Sequence, residues 1–280
     1  MKLALIGNCQ LEVLGDLIKN HAALHENKFT YVYNTPIYKL DEKRDLVNFY
    51  HEIEQCDAIF MQYHSERWRG FSTETLRKYF DLTVLPTLES RVSCSQLGYY
   101  DLPLPDMMVY VDYRFLHLYL SGNDVTHAVK RYHQAEFSEK KQLSMLENDA
   151  KKYKNLFKQG KVYFDYSSDY FRSLSENTGS YSTISHPNNE NLAVLLSAIY
   201  RKTYNITEKF SLQGNDMLLN YIAPTLGSGD TSYFMMRQSG LTLAAKINYV
   251  FFESQEKNDL TRNLLKSAYY QSLKDGFTNI

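Results

Sequence analysis

The first ninety positions alternate between short apolar runs and stripes of apolar residues at helical spacing. Continuous runs predict buried strands at Leu3-Ile6, Ala58-Gln62 and Leu82-Pro86, and alternation predicts a half-buried strand at Phe29-Tyr33. Two amphipathic helices are predicted by apolar residues at helical spacing, namely Leu11, Leu14, Leu17 and Ile18, then Leu46, Phe49, Tyr50 and Ile53. Strands that alternate with helices predict an α/β fold with a mostly parallel sheet flanked by helices, a three-layer core of the flavodoxin-like kind.

Later segments add mainly helices. Ser72 or Thr73 caps a predicted helix that runs to about Phe80, and Glu89-Asp106 is predicted as a loop over the carboxyl edge of the sheet. Further helices are predicted at Asp124-Gln159, Ser168-Leu174, Asn188-Tyr204, Gln213-Pro224 and Leu260-Leu273, with an extended run at Gly179-His186 and an edge strand at Asn248-Phe252. We therefore expect one domain, with a sheet core at about 1-120 and 161-205, a helical insertion at 121-160 and a helical extension at 206-280.

Composition and charge narrow the function classes. A formal net charge of -1 argues against nucleic acid as a partner, and three scattered cysteines form neither a disulfide framework nor a zinc motif. No apolar run approaches a membrane span, and the apolar stretch before Gly7 is too short for a signal peptide, so we expect a cytoplasmic protein without stable membrane insertion. Because no Cys/His cluster is present in the sequence, we expect no metal. The 24 tyrosines favour amphipathic packing near the surface, with sugar or nucleotide stacking as the alternative.

The turn Gly7-Asn8-Cys9-Gln10 carries the strongest chemical signal. It follows a buried strand and opens a helix, which places Cys9 at the carboxyl edge of the sheet, where open α/β sheets bind ligands. The amino end of a helix favours a thiolate, a phosphate or an oxyanion. Gly7 suits a sharp turn, and Asn8 and Gln10 add amide donors. The alternative is that Cys9 is a small, buried, purely structural thiol.

Two further groups of polar residues are expected at the same edge. Gln62 and His64 end the third strand, and Gln62 is a candidate for stabilising an oxyanion. Arg67 and Arg69 follow, and arginines bind phosphates bidentately, although a polar surface loop explains them equally well. His186 and Asn188 lie where an extended run enters a helix, with Pro187 predicted at the first helical position. His186 is a candidate general base, and Asn188 is a candidate substrate-binding residue.

These motifs resemble those of the WcbI-type polysaccharide biosynthesis proteins, acetyltransferases of capsule assembly that bind coenzyme A. The resemblance rests on GNCQ after the first strand, DAIFMQ with RGFSTETL, VLPTLE with its Gly-Tyr and Pro-Asp sequel, and HPN before a helix. Together these motifs span roughly residues 1 to 200. Such proteins look like distant relatives of SGNH hydrolases and acyltransferases, which use a serine nucleophile and a late Asp-x-x-His.

In that comparison Cys9 stands where the serine would be, and His186 matches the histidine. Thr183 occupies the position of the expected aspartate, so the acid that would orient His186 is missing from its usual place. Asp165, Asp169 or a backbone carbonyl are the alternatives. The resemblance therefore leaves a complete triad open.

The resemblance implies transfer of an acetyl or similar acyl group from acetyl-CoA to a sugar hydroxyl. In one mechanism, slightly preferred, Cys9 takes the acyl group as a thiolate and His186 then deprotonates the sugar. In the other, His186 activates the sugar for direct attack on the thioester. In this second mechanism the only role of Asn8, Cys9 and Gln62 is to line the oxyanion pocket. The phosphates of CoA are assigned to Arg67, Arg69 and the helix start at Ser72 and Thr73.

Two other functions remain open at this point. A carbohydrate esterase or deacetylase would use the same Cys9 and His186 with water as the acceptor. A subunit that only binds a nucleotide, CoA or a glycan would agree with the tyrosine content and the missing acid. The expected partner is a sugar or polysaccharide precursor, and the sequence allows a homo-oligomer.

Overall fold

The computed structural model describes residues 1–20, 29–100, 104–105, 108, 110–132, 139–218 and 231–267. Residue contacts divide the chain into two compact units, of which the first consists of Met1–Glu89, Asp149–Ser173 and Ser185–Leu219. The second consists of Ser90–Asn148, Leu174–Ile184 and Asn220–Ile280. Residues 90–120, which the sequence analysis assigns to the sheet core, therefore belong to the second unit. The predicted division of the chain stays a prediction.

The strands and helices follow in the order of the chain. The strands are β1 (Lys2–Gly7), β2 (Tyr31–Pro36), β3 (Ala58–Gln62), β4 (Leu82–Leu85), β5 (Leu97–Gly98), β6 (Val111–Asp112), β7 (Tyr181–Thr183) and β8 (His186–Pro187). The helices are α1 (Cys9–Asn20), α2 (Glu42–Glu54), α3 (Thr73–Leu76), α4 (Tyr113–Leu120), α5 (Val125–Tyr132), α6 (Glu139–Lys158), α7 (Ser167–Glu176), α8 (Asn189–Tyr204), α9 (Thr231–Glu253) and α10 (Lys257–Lys266). Two 3-10 helices cover Ile37–Lys39 and Glu66–Phe71.

The first unit contains the predicted parallel sheet. Its four strands lie in the order β2-β1-β3-β4, and every neighbouring pair is parallel. Side chains alternate between the two faces, so Ala4 and Ile6 of β1 pack with Phe49 and Ile53 of α2. Leu3 and Leu5 point to the opposite face, and α1 and α8 contact each other. The prediction of an α/β fold with a mostly parallel sheet between helices is confirmed.

The second unit is built mainly from helices. Its core packs α4, α5, α9 and α10 around Phe115, Leu116, Tyr249 and Phe252. β5 and β6 form a short antiparallel pair. No helix in the described part of the chain has the length and hydropathy needed to cross a lipid bilayer.

Three predicted elements differ from the structure. Asn248-Phe252 was expected to be an edge strand, but it lies in helix α9 because its buried residues continue a helical spacing from Leu241 and Ala245. The helix expected from Ser72 to Phe80 is only the four-residue α3. Residues 213–218 contain bends and a short turn but no helix, and 219–224 lie outside the described residues.

Candidate functional site

The turn between β1 and α1 is built as the sequence pattern predicts. Asn8 caps the helix, because its Oδ1 accepts from the N–H of Gln10 at 2.9 Å and its carbonyl oxygen accepts from the N–H of Glu12 at 3.1 Å. Cys9 is therefore the first helical residue. A Cβ atom at Gly7 would lie 2.4 Å from Gln62 Oε1 and 2.9 Å from Leu11 Cδ1. Only glycine fits there without displacing these neighbours.

Two fully buried glutamines join this turn to the end of β3. Gln62 Oε1 accepts from the N–H of Asn8 at 2.9 Å, and Gln62 Nε2 donates to Gln10 Oε1 at 2.7 Å. Gln62 follows Met61 in the register of β3, so its side chain reaches across the sheet edge to the neighbouring turn. This contact fixes the relative position of the two strand ends.

Gln10 extends the same network to two later segments. Its Nε2 donates to the carbonyl oxygens of Leu88 at 2.7 Å and Ser185 at 2.8 Å, and its Oε1 also accepts from the N–H of Leu88 at 3.1 Å. Both amide hydrogens of Gln10 are thus in use, which matches the full capacity of a primary amide. We call this set of bonds, which joins Asn8, Gln10, Gln62, Leu88 and Ser185, the amide network. It holds the residue before His186 against the first turn of α1.

The thiol of Cys9 is partly buried and protonated near neutral pH. Burial raises its pKa to about 11, against the opposing effect of backbone N–H groups at the helix start, and Glu12 raises the pKa further. The helix terminus was expected to favour a thiolate. Here the loss of hydration outweighs the helix terminus, so the resting state of Cys9 is the thiol.

His186 is partly buried in β8, and burial lowers its pKa. A neutral imidazole is the form that a general base requires. The two acids considered as its partners have other contacts. Asp165 accepts from the N–H of Ser167 at 2.9 Å, and Asp169 forms an ion pair with Arg172 at 2.8 Å.

Asn188 and Pro187 have roles different from those expected of a first helical turn. Asn188 is the cap of α8, and its Oδ1 accepts from the N–H of Asn191 at 3.1 Å and from Asn191 Nδ2 at 2.7 Å. Pro187 lies before the cap in β8 and not at the first helical position. The assignment of Asn188 to substrate binding stays a prediction.

His64 is a buried imidazole just beyond β3. Burial lowers its pKa to about 4, opposed by a hydrogen bond to the backbone of Gln62 and aided by the positive charge of Arg67. Its ring meets Trp68 edge-on at 5.9 Å. Among the described residues its Nδ1 has no hydrogen-bond partner. His64 is thus neutral and retains an unused ring nitrogen beside the sheet edge.

The residues assigned to CoA phosphates divide into two kinds. The hydroxyls of Ser72 and Thr73 are buried and engaged, since Ser72 caps α3 and Thr73 Oγ1 accepts from the N–H of His64 at 2.8 Å. Arg67 and Arg69 are exposed. Arg69 has a positive φ of 47° and lies 3.4 Å from Glu42, while the guanidinium of Arg67 lies 5.6 Å from the centre of the Trp68 ring.

The loop after β4 is held by a tyrosine that no local pattern in the sequence singled out. Tyr153 of α6 is buried, and its hydroxyl accepts from the N–H of Glu89 at 2.7 Å and contacts the carbonyl oxygens of Thr87 and Glu89 at 3.1 and 2.8 Å. This tyrosine thereby supports the loop in which Leu88 contacts Gln10. The only signal in the sequence was the high tyrosine content. In the described part of the chain, no group of three or more His, Cys, Asp or Glu side chains is arranged to hold a metal ion.

Fold and site together define an α/β protein with a cysteine at the amino end of the first helix, at the carboxyl edge of a parallel sheet. One solved structure that is similar is WcbI, described as a novel polysaccharide biosynthesis enzyme, in a form without a disulfide bond between CoA and one of its cysteines. The match has a TM-score of 0.67 and 14% identity and covers 98% of each chain, which shows a shared fold. No model of a known protein family matches the chain, and no curated protein does.

Proposed function

We propose that this protein transfers an acyl group from acyl-CoA to a sugar hydroxyl during assembly of a capsular or other surface polysaccharide. The observation that carries the proposal is the amide network, which holds Ser185, and so the backbone of His186, beside the turn that contains Cys9. This position of the backbone supports a role for His186 as a base beside the helix terminus, as acyl transfer requires. The shared fold with a polysaccharide biosynthesis enzyme whose description names CoA supports the same assignment.

Burial disfavours a thiolate at Cys9, and we therefore write the reaction as direct attack by the sugar, with an acyl-cysteine intermediate as the alternative. With a pKa of about 11, roughly one Cys9 side chain in ten thousand is a thiolate at pH 7. In the proposed reaction neutral His186 takes the proton of the acceptor hydroxyl while the oxygen of that hydroxyl bonds to the acyl carbon. The amino end of α1 stabilises the oxyanion. His186 then returns the proton to the departing sulfur as the carbon–sulfur bond breaks.

The phosphates of the acyl donor are assigned to Arg67 and Arg69 alone. Their exposed guanidinium groups suit phosphate oxygens, whereas the hydroxyls of Ser72 and Thr73 already hold the protein together. We expect the double variant Arg67→Ala/Arg69→Ala to bind CoA at least about tenfold more weakly by calorimetry. Unchanged CoA affinity would remove both arginines from the donor site.

The mechanism is tested by comparing variants of the two central side chains. We expect Cys9→Ser to keep acyl transfer within about tenfold of the parent, and His186→Gln to lower kcat by about 10²- to 10⁴-fold. His51→Gln, at an exposed histidine of α2, is the control and should have no effect. Native mass spectrometry with acetyl-CoA should show bound CoA and no acetyl group on Cys9.

The opposite pattern would refute direct attack. An acetylated Cys9 together with an inactive Cys9→Ser protein would establish the acyl-cysteine route instead. Release of acetate with water as the acceptor, unaffected by added sugars, would favour a carbohydrate esterase or deacetylase. Full biological activity of a Cys9→Ala/His186→Ala protein would leave only a binding function.

A further inference from the structure

The first unit contains a cavity of about 420 Å³ that is lined by Asp165 and Asp169, the two acids considered above for His186, and by none of the residues assigned to catalysis or to CoA. It lies between α7, α8 and the segment 209–212. Its volume falls within the range of sites for small molecules. The cavity therefore has the size of a ligand site without an assigned ligand.

The floor of the cavity is apolar and formed by small side chains. Ala193 and Ala198 of α8 are buried and present no polar group to the cavity. Phe210 closes one side, and its position is fixed because its N–H donates to Ser197 Oγ at 3.0 Å and its ring lies 4.8 Å from the ring of Tyr200. A flat apolar face of a ligand would find a preformed surface here.

Charged groups of both signs surround this floor. Asp169 lies 2.8 Å from Arg172 and 3.8 Å from Lys209, and Arg172 lies 3.9 Å from Glu190. Arg201 also lines the cavity and has no ion-pair partner among the residues that the structure describes. Hydrogen-bond donors and acceptors of both charges thus line the cavity.

We propose that this cavity binds a sugar residue. A hydroxyl both donates and accepts, so a polyhydroxylated ring can use the carboxylates of Asp169 and Glu190 and the guanidinium groups of Arg172 and Arg201 together. The C–H face of the ring would pack on Phe210 and the alanine floor. The choice of a sugar among polyhydroxylated ligands rests on the proposed function.

Other classes of ligand fit the charged side chains that line the cavity less well. An anion such as phosphate would meet the carboxylates of Asp169 and Glu190, and a cation would meet Arg172 and Lys209. An apolar ligand would remove these charges from water without replacing their hydrogen bonds. A neutral ligand rich in hydroxyls satisfies both signs at once.

The test is saturation-transfer NMR on the full chain without acyl-CoA, using glucose, galactose, N-acetylglucosamine and lactose as probes. We expect at least one of these sugars to bind, and Asp169→Asn/Arg172→Gln to weaken that binding at least about tenfold. The matched control is Asp259→Asn/Arg262→Gln, a second pair three residues apart whose side chains lie 3.0 Å from each other on α10. The control should leave binding unchanged. Ala198→Phe, which fills the floor, should also abolish binding.

Three results would overturn the proposal: no binding by any probe, binding unaffected by both cavity variants, or displacement of the sugar by inorganic phosphate. CoA binding, measured separately by calorimetry, distinguishes this failure from failure of the proposed function. If the unmodified chain binds none of the sugars but binds CoA and transfers acyl groups, only the cavity proposal is refuted. A sugar site without CoA binding refutes acyl transfer and leaves the cavity.

Discussion

In the described part of the chain, three helices begin directly after a strand and under an N-cap side chain, namely α1, α4 and α8, and the surroundings of α1 and α4 are opposite in character. Helix α1 begins after Asn8 in the first unit, and helix α4 begins after Asp112 in the second. Asn8 is partly exposed and forms its hydrogen bonds with neutral amide groups, whereas Asp112 is a buried carboxylate. The same arrangement of strand, N-cap side chain and helix thus forms part of the candidate site at α1 and part of the packed core at α4.

At the scaffold helix the cap is closed by charged and aromatic groups. Asp112 accepts from the N–H groups of Arg114 at 2.9 Å and Phe115 at 3.3 Å, and from the hydroxyl of Tyr132 at 2.5 Å. Arg114 lies 3.9 Å from the centre of the Tyr132 ring and donates to its carbonyl oxygen. Asn248 of α9 accepts from the N–H of Asp112 at 3.2 Å. These bonds tie three helices of the second unit together.

The two caps differ in whether they bring a negative charge to the positive end of the helix. At α4 the carboxylate of Asp112 neutralises the positive helix end, which is then closed to any other anion. At α1 the cap and its network are neutral, and the carboxylate of Glu12 in the first turn is paired with Lys39 at 2.6 Å, so the positive end beside Cys9 keeps more of its effect on an anion than the end of α4 does. A neutral network also holds its geometry independently of pH.

The largest effect is expected from removing the buried carboxylate. Asp112→Ala should lower the free energy of unfolding by about 3–5 kcal/mol, because it removes the buried acceptor shared by the N–H groups of Arg114 and Phe115 and the hydroxyl of Tyr132. Chemical denaturation measures the loss. The control is Asp41→Ala, an exposed cap of α2 with bonds of 3.0 and 3.1 Å to Lys43 and Arg44, which should cost about 1 kcal/mol. Equal losses of stability in Asp112→Ala and Asp41→Ala would show that the buried contacts of Asp112 add nothing to its role as a cap.

Breaking the amide network should have the next largest effect. Gln10→Ala should cost about 3 kcal/mol, because buried amide groups of Leu88 and Gln62 and the carbonyl of Ser185 lose their partners. Gln55→Ala, at an exposed glutamine after α2, should stay within about 0.5 kcal/mol of the parent. Denaturation curves of both variants decide the matter. A small loss at Gln10 would mean that the network does not hold the site together.

The sequence predicted the frame of this site better than its internal contacts. Strand β1, the turn at Gly7 and helix α1 follow from local patterns, because an apolar run and a helical stripe are visible within twenty residues. The bond from Gln10 to Ser185 joins residues 175 positions apart, which no local pattern reveals. The Asn248-Phe252 run is rich in aromatic residues, which is typical of a strand. Its helical structure follows from the packing of α9 in the core of the second unit.

The pH dependence of stability offers a smaller test. Burial raises the pKa of Asp112 from its ordinary 3.8 to about 6, opposed by Tyr132 and Arg114. The native state therefore holds a proton that the unfolded chain has released, so the contribution of this group to stability falls as pH rises toward and through 6. Between pH 5 and 7 the parent should lose somewhat more than about 1 kcal/mol relative to Asp112→Asn. A difference that is constant across this range would contradict the raised pKa.

The smallest effect is expected at the cap of the site helix. Asn8→Ala removes the acceptor for the N–H of Gln10 but leaves the backbone bond from Asn8 to Gln62, and should cost about 0.5–1 kcal/mol. Asn8→Asp keeps the cap and should restore most of that stability, yet its carboxylate would occupy the positive end of α1 as Asp112 does at α4. If the neutral cap serves catalysis, Asn8→Asp should fold normally and lose about tenfold or more in acyl transfer. Full activity of a stable Asn8→Asp protein would show that the charge at this helix end plays no part in the reaction.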